Sequence, residues 1–175
     1  MIIFKYIALI IYYSLAQYLP HSYTPILGTI SKCVRTALCK VIFKKCGKNV
    51  NIERKAYFGT GKSIQIGNNS GLGPNCHVPD DTIIGDNVMM ADNCYILSKN
   101  HNYSNTSIPM CQQGSVKKQT VIADDVWIGR NVIMTPGRIV AKGTIIAAGT
   151  VLTKNFPEYS IVGGNPGKFI KSRKE

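Results

Sequence analysis

The chain has 175 residues, 45% of them apolar and 17% charged, which suits one folded domain with a real core and excludes a disordered chain. Its formal net charge is +12, from 21 Lys and Arg against 9 Asp and Glu, so an anionic partner is expected: nucleic acid, a membrane surface or a polyphosphate ligand. The six cysteines make no CxxC pair and no metal-finger spacing, and the chain is too large to need a disulfide framework, so they read as free thiols in a reducing compartment.

Residues 1–19 are apolar, with Lys5 the single charge. The uninterrupted run from Tyr6 to Ala16 has eleven residues, short of the roughly 20 that span a bilayer. Two readings stand. The run forms a helix that packs on the body of the protein or on a neighbouring subunit. Alternatively it lies on the inner, cytoplasmic face of a membrane, where the basic residues of 32–48 would hold anionic lipid. Pro20 and Pro25 then interrupt helix. Ile30, Val34, Leu38, Val41 and Ile42 recur at helical spacing among lysines and predict a second amphipathic helix with a basic outer face, stopped at Gly47. Residues 1–47 thus form a helical segment ahead of a main domain at 48–170, with a basic tail at 171–175.

A six-residue repeat starts weakly at Val50 and Ile52, slips by two residues between Gly59 and Ser63, and is firm from Ile66. Slots six apart hold Ile66, Leu72, Val78, Ile84, Met90 and Ile96, then Ile122, Ile128, Met134, Val140, Ile146 and Leu152. All twelve are apolar, which at this composition has a chance of about one in ten thousand in a fixed register and about a few per thousand if each side of the break chooses its own. Two residues before most slots stands a small or β-branched residue, as in Thr82/Ile84 and Thr144/Ile146. Residues two apart on a strand share a face, so each pair points inward. Gly or Ala usually follows, then often an Asn that tolerates a left-handed turn. Short strands repeating without helices between them make a parallel β-solenoid. Cys76 and Cys94 fill small inward slots and read as core. Arg138 breaks the pattern, either emerging at a corner or bulging its strand.

The repeat stops after Ile96 and resumes at Ile122. The interruption, 97–119, is long for a compact solenoid, and such loops are more often functional than idle. It holds His101, flanked by Asn100 and Asn102, and histidine is the side chain best suited to take a proton near neutral pH.

These features resemble the hexapeptide-repeat acyltransferases over residues 48–170, and within them the sugar O-acetyltransferases: the loop with Asn100-His101 and Ile108-Pro109-Met110, the run Val126-Trp127-Ile128-Gly129, the pair Thr153-Lys154, and the closing Ile161-Val162-Gly163-Gly164-Asn165-Pro166-Gly167. The resemblance implies a mainly β fold, a left-handed parallel β-helix with short N-terminal helices and a protruding loop. That handedness opposes the usual right-handed crossover rule and is not given by the spacing. It implies an enzyme that transfers acetyl from acetyl-CoA, without a metal, to a hydroxyl of a bacterial surface polysaccharide or its precursor, as a homotrimer with sites between subunits. His101 would be the general base. Trp127 would line the site. Gly129 and the backbone at Arg130 and Ala148 would meet the pantetheine arm, and Thr153, Lys154 and Lys171 the phosphates of CoA. Asn75, Asp80, Asp81 and Asn100 are candidates for the acceptor side, with turn-forming as the other reading for the first three.

Other functions fit less well. The carbonic anhydrases that share this solenoid need three histidines on a metal; here His21 lies outside the repeats, and His77 and His101 lack a third partner. A catalytically silent scaffold would not need the loop histidine. Acetylation of a streptogramin- or chloramphenicol-type antibiotic, or of an amino sugar, remains an alternative within the enzyme class. Nucleic-acid binding lacks the interleaved aromatics of a known module.

Overall fold

The computed structural model describes residues 2–174. Helix α1 (Ile2–Ser14) and helix α2 (Leu27–Ile42) pack on each other over the first coil of a parallel β-solenoid. Most solenoid strands are two residues long, because each has only one inward slot to fill before the chain must turn. The first face stacks Lys45–Cys46, Gln65–Ile66, Ile83–Ile84, Val121–Ile122 and Ile139–Val140. The second stacks Met89–Met90, Trp127–Ile128, Ile145–Ile146 and Ser160–Gly163, after the pair Asn51–Ile52 and Gly71–Leu72. The third stacks Tyr95–Ile96, Ile133–Met134 and Val151–Leu152, with single bridges from Tyr57 to His77 and from His77 to Tyr95.

All pairings within these faces are parallel and in register, so the repeat read in the sequence is the repeat of the structure. Gln65 pairs with Ile83, eighteen residues on; Lys45 pairs with Gln65, twenty residues on. The first coil is thus two residues longer, which is the slip between Gly59 and Ser63. All twelve repeat slots are buried, Met90 the most accessible at 8%, and together with Cys76 and Cys94 they form one apolar core. The turns use left-handed Asn at 69, 87, 93 and 131. Several also form a ladder: Asn49 Nδ2 donates to Asn69 Oδ1 at 3.1 Å, and Asn69 Nδ2 to Asn87 Oδ1 at 3.2 Å. At the far end Lys168–Ser172 folds back antiparallel on Ser160–Gly163.

The N-terminal segment departs from expectation in two ways. Gly47 does not stop α2. The helix ends at Ile42, where Phe43 turns extended, and Gly47 sits at a coil corner where a Cβ would come 2.5 Å from the Gly67 carbonyl carbon. The apolar stripe of α2 also faces inward only in part, through Ile42 and the half-buried Leu38. Gly28, Ser31, Arg35, Cys39 and Ile42 are buried, while Ile30, Val34 and Val41 are exposed. Three carbonyls meet Arg35 inside: Nε donates to that of Ile52 at 2.6 Å and Nη1 to those of Leu19 and Pro20 at 3.2 and 2.9 Å, while Nη2 makes no hydrogen bond. Its charge is met by Glu53 at 3.6 Å. Burial pushes the Glu53 carboxyl up, but hydrogen bonds from Ser22, Asn51 and the Arg54 N–H outweigh it and leave it below its ordinary range.

Candidate functional site

The interruption leaves the third face after Ile96 and rejoins the first face at Val121, so it stands on the corner between them. Its stem is an antiparallel ribbon, Lys99–His101 against Ser115–Lys117, with His101 opposite Ser115. Local side chains fold the tip. Asn102 donates through its N–H to the Gly114 carbonyl and through its amide to the Gln113 carbonyl at 2.9 Å. The Gln113 amide in turn donates to the carbonyls of Asn105 and Ile108 at 2.7 and 3.0 Å. The foot is tied down by Lys117, whose Nζ lies 3.0 Å from both Asp80 Oδ1 and Asp81 Oδ2. Gln119 Nε2 donates to the Asp81 carbonyl at 2.6 Å. The donation from Lys117 is the main cause that holds the Asp80 carboxyl below its usual range.

His101 therefore stands exposed at the end of a braced ribbon, facing a cavity of about 630 Å³ that Asn100, Tyr103, Lys118, Arg138 and Thr153 also line. Arg138 emerges at the corner and does not bulge its strand: Val121 N–H still reaches the Arg138 carbonyl at 2.9 Å. Its guanidinium donates to the carbonyls of Thr153 and Pro136, at 2.5 and 3.2 Å. The sequence marked Arg138 only as an exception to the repeat. Lys118 and Tyr103 carried no signal, because a loop without a period gives no register from which to place its side chains.

The remaining site candidates form a second group. Trp127 projects half-exposed from the second face between Met89 and Ile145. Gly129, Arg130 and Ala148 follow at the corner between the second and third faces. Gly129 must be glycine, since a Cβ there would lie 2.5 Å from the Ala148 nitrogen. Among the described residues the N–H groups of Arg130 and Ala148 meet no backbone acceptor, although the Arg130 carbonyl accepts from Gly149 at 2.8 Å. They remain as donors for a ligand carbonyl. The Arg130 side chain pairs with Asp92 at 2.7 Å and leaves that backbone uncovered.

The third face separates the two groups. From Ala148 to Thr153 the chain spans at most about 17 Å, so His101 and Thr153 stand on one edge of this face and Arg130 and Ala148 on the other. Between them runs an outward aromatic stack, with His77 centred 4.5 Å from the Tyr57 ring and 4.4 Å from Tyr95; burial lowers its pKa. Lys154 is exposed and lies over the Phe156 ring at 5.4 Å. Lys171 is on the return strand opposite Ile161. Asn75 is away from His101, at the corner between the second and third faces, in a left-handed turn whose N–H donates to the Arg54 carbonyl. Among the described residues no group of three His, Cys, Asp or Glu side chains is placed to hold a metal ion.

Residues 63–98 and 119–154 match the family Bacterial transferase hexapeptide (six repeats), and the gap between the two stretches is the His101 loop. The chain is 31% identical to galactoside O-acetyltransferase of Escherichia coli over 140 residues, covering 78% of this chain and 68% of that protein. It is 36% identical over 93 residues to a Mycobacterium tuberculosis protein named as an acetyltransferase, which covers 53% of this chain but only 31% of that protein. An E. coli O-acetyl transferase assigned to lipopolysaccharide biosynthesis is 28% identical over 53% of this chain and 50% of its own length. Among solved structures, a hexapeptide-repeat acetyltransferase of Vibrio cholerae superimposes with a TM-score of 0.80 at 23% identity, over 99% of this chain and 92% of that one. A galactoside acetyltransferase in complex with coenzyme A does so at 0.77 and 26%, over 97% and 80%. Superposition of whole chains at this level requires the same winding, so the solenoid is left-handed, as the resemblance implied.

Proposed function

The chain belongs to the bacterial hexapeptide-repeat acetyltransferases, and from that membership we propose that it is an acetyl-CoA-dependent O-acetyltransferase acting on a hydroxyl of a bacterial surface polysaccharide or its precursor. The observation that carries this reading is His101, presented on a braced ribbon and lining a cavity with Lys118, Arg138 and Thr153. The sugar named for the galactoside relative supports a saccharide hydroxyl as acceptor.

In this reading His101 takes the acceptor hydroxyl proton while the oxygen bonds to the thioester carbonyl carbon of acetyl-CoA. The tetrahedral oxyanion collapses, the carbon–sulfur bond breaks, and the imidazolium returns the proton to the departing thiolate. Acetyl ester and CoA are the products, and no acyl-enzyme forms. Arg130 and Ala148 offer N–H donors to the pantetheine amides. Thr153, Lys154 and Lys171 supply polar and cationic groups for the phosphates. Asn100 borders the acceptor space. Asp80 and Asp81 act there through Lys117, by fixing the ribbon. Trp127 and Asn75 lie beyond the reach of His101 in one copy, and a homotrimer in which the loop of one subunit meets the face of the next would bring such residues to one site.

His101→Ala tests the mechanism. It is expected to lower turnover about a thousandfold while acetyl-CoA affinity, measured by calorimetry, stays within a factor of about two. Full activity in that variant would exclude His101 as the base. A monomeric mass in solution would exclude the shared site.

A further inference from the structure

We propose that the helical cap is a membrane-docking surface, with α1 and α2 lying flat on an anionic lipid layer. The inner side of α1 is committed to the protein. Ala8, Tyr12 and Ala16 are buried, the Tyr12 hydroxyl donates to the Ala56 carbonyl at 2.8 Å, and the Tyr13 hydroxyl donates to the Gly59 carbonyl at 2.9 Å. The outer side is apolar and uncovered: Ile3, Phe4 and Ile10 are 72%, 69% and 67% exposed, with Ile7, Ile11 and Leu15 beside them. The outward residues of the α2 stripe add to it. Ile26 is 90% exposed and Ile30 59%, followed along the helix by Val34 and Val41. Ten large apolar side chains exposed along two helices that pack on each other are more than the scattered exposed side chains of an ordinary monomer.

Charge selects the occupant. Residues 1–52 contain seven Lys and Arg and no Asp or Glu. Arg35 is buried against Glu53, which leaves Lys5, Lys32, Lys40, Lys44, Lys45 and Lys48 as the charges of the two helices and the first coil they cover. A second copy of the same cap would set these lysines against one another. A layer of anionic headgroups would neutralise them while its acyl chains take the isoleucines. Tyr18 and Tyr23, both exposed, suit the headgroup level. Length decides between lying on the bilayer and crossing it. Helix α1 has 13 residues, about 20 Å, against a hydrocarbon core of about 30 Å. Among the described residues no helix is long and apolar enough to cross a membrane.

The proposal does not depend on the acetyl-transfer reading, and its test is separate. The full chain is sedimented with vesicles of phosphatidylcholine alone and of phosphatidylcholine with phosphatidylglycerol. The expected result is sedimentation with the anionic vesicles, weakened by added salt. A double variant, Ile10→Glu with Ile30→Glu, should lose roughly tenfold or more of that binding. Both side chains face solvent, so circular dichroism and the soluble acetyl-transfer rate should match the parent. Retention of the parent in the supernatant, equal sedimentation with both vesicles, or equal sedimentation of parent and variant would each overturn the proposal. So would an oligomer that falls apart in the variant without any vesicle binding by the parent, which would assign the surface to another subunit.

Discussion

Lys117 and Asp80 stand 3.0 Å apart, joining the ribbon that carries His101 to the coil before it. Asp81 Oδ2 stands 3.0 Å from the same ammonium. One cation thus sets the angle at which the ribbon leaves the solenoid. Lys117→Met is expected to lower kcat about tenfold, because the base would no longer be held in line with its target. Stability should change by less than about 1 kcal/mol, since the pair is half-exposed. Steady-state rates and thermal melting check the two halves of this expectation.

The same pair predicts a pH dependence. The folded-state value of Asp80 lies below its ordinary 3.8. Its contribution is therefore fully present above the unfolded value and is lost as pH falls through the lower, folded one. Amide exchange protection in residues 97–119, corrected for intrinsic rate, should be level from neutrality down to about pH 4 and should drop only below it. A loss of protection between pH 7 and 5 would mean that another group holds the ribbon.

Arg35→Met would leave Glu53 buried without its cation. The expected cost is about 3 kcal/mol or more, a fall in Tm of roughly 6–12 °C for a chain of this size. Adding Glu53→Gln should recover part of the loss, because the uncompensated charge goes with it. Calorimetric melting of the two variants checks the coupling.

Gly129→Ala would place a methyl 2.5 Å from the Ala148 nitrogen and force the two coil corners apart. The N–H groups of Arg130 and Ala148 would then lose their common alignment. The KM for acetyl-CoA is expected to rise several-fold, with kcat changed much less, since His101 is on the other edge of the third face. Equal losses in both constants would place this corner in the chemistry instead.

His77 is packed between Tyr57 and Tyr95, and burial lowers its pKa. Its folded value lies below its unfolded one, so stability is complete above about pH 6.5 and declines as pH falls through the window between the two values. His77→Phe should keep the stack and remove that decline. Denaturant unfolding at neutral and mildly acidic pH measures the difference.

The solenoid was legible because its rule is local. Each coil asks the same question of residues six apart, and Ile66 through Leu152 answer it with apolar side chains. Even the extra two residues between Gly59 and Ser63 could be counted. Helix α2 is legible as a helix, and Leu38 and Ile42 of its stripe do pack inward. Its other stripe residues, Ile30, Val34 and Val41, tell where apolar surface lies but not what covers it. Arg35 could be the inward residue because three carbonyls from distant segments were waiting for it, and no spacing within the helix encodes them. The site was legible in part. His101 stood out as a histidine inside a break in the period, whereas Arg138 and Lys118 join it only because a corner of the solenoid folds under the ribbon. Trp127 and Arg130 came from the family resemblance, and the structure places them across a face from His101.

The Lys168–Ser172 strand runs against the direction of the strand on which it lies, and this reversal bears on solubility. A coil of parallel strands exposes rows of N–H and C=O groups at each end, identical in spacing to the rows inside. Left open, the two ends of two molecules would fit each other in register, and elongation along the axis would have no natural stop. A reversed strand breaks that match at one end, and two helices hide the other. Trimming either terminator, with every residue near His101 intact, should turn a discrete enzyme into the repeating unit of a filament.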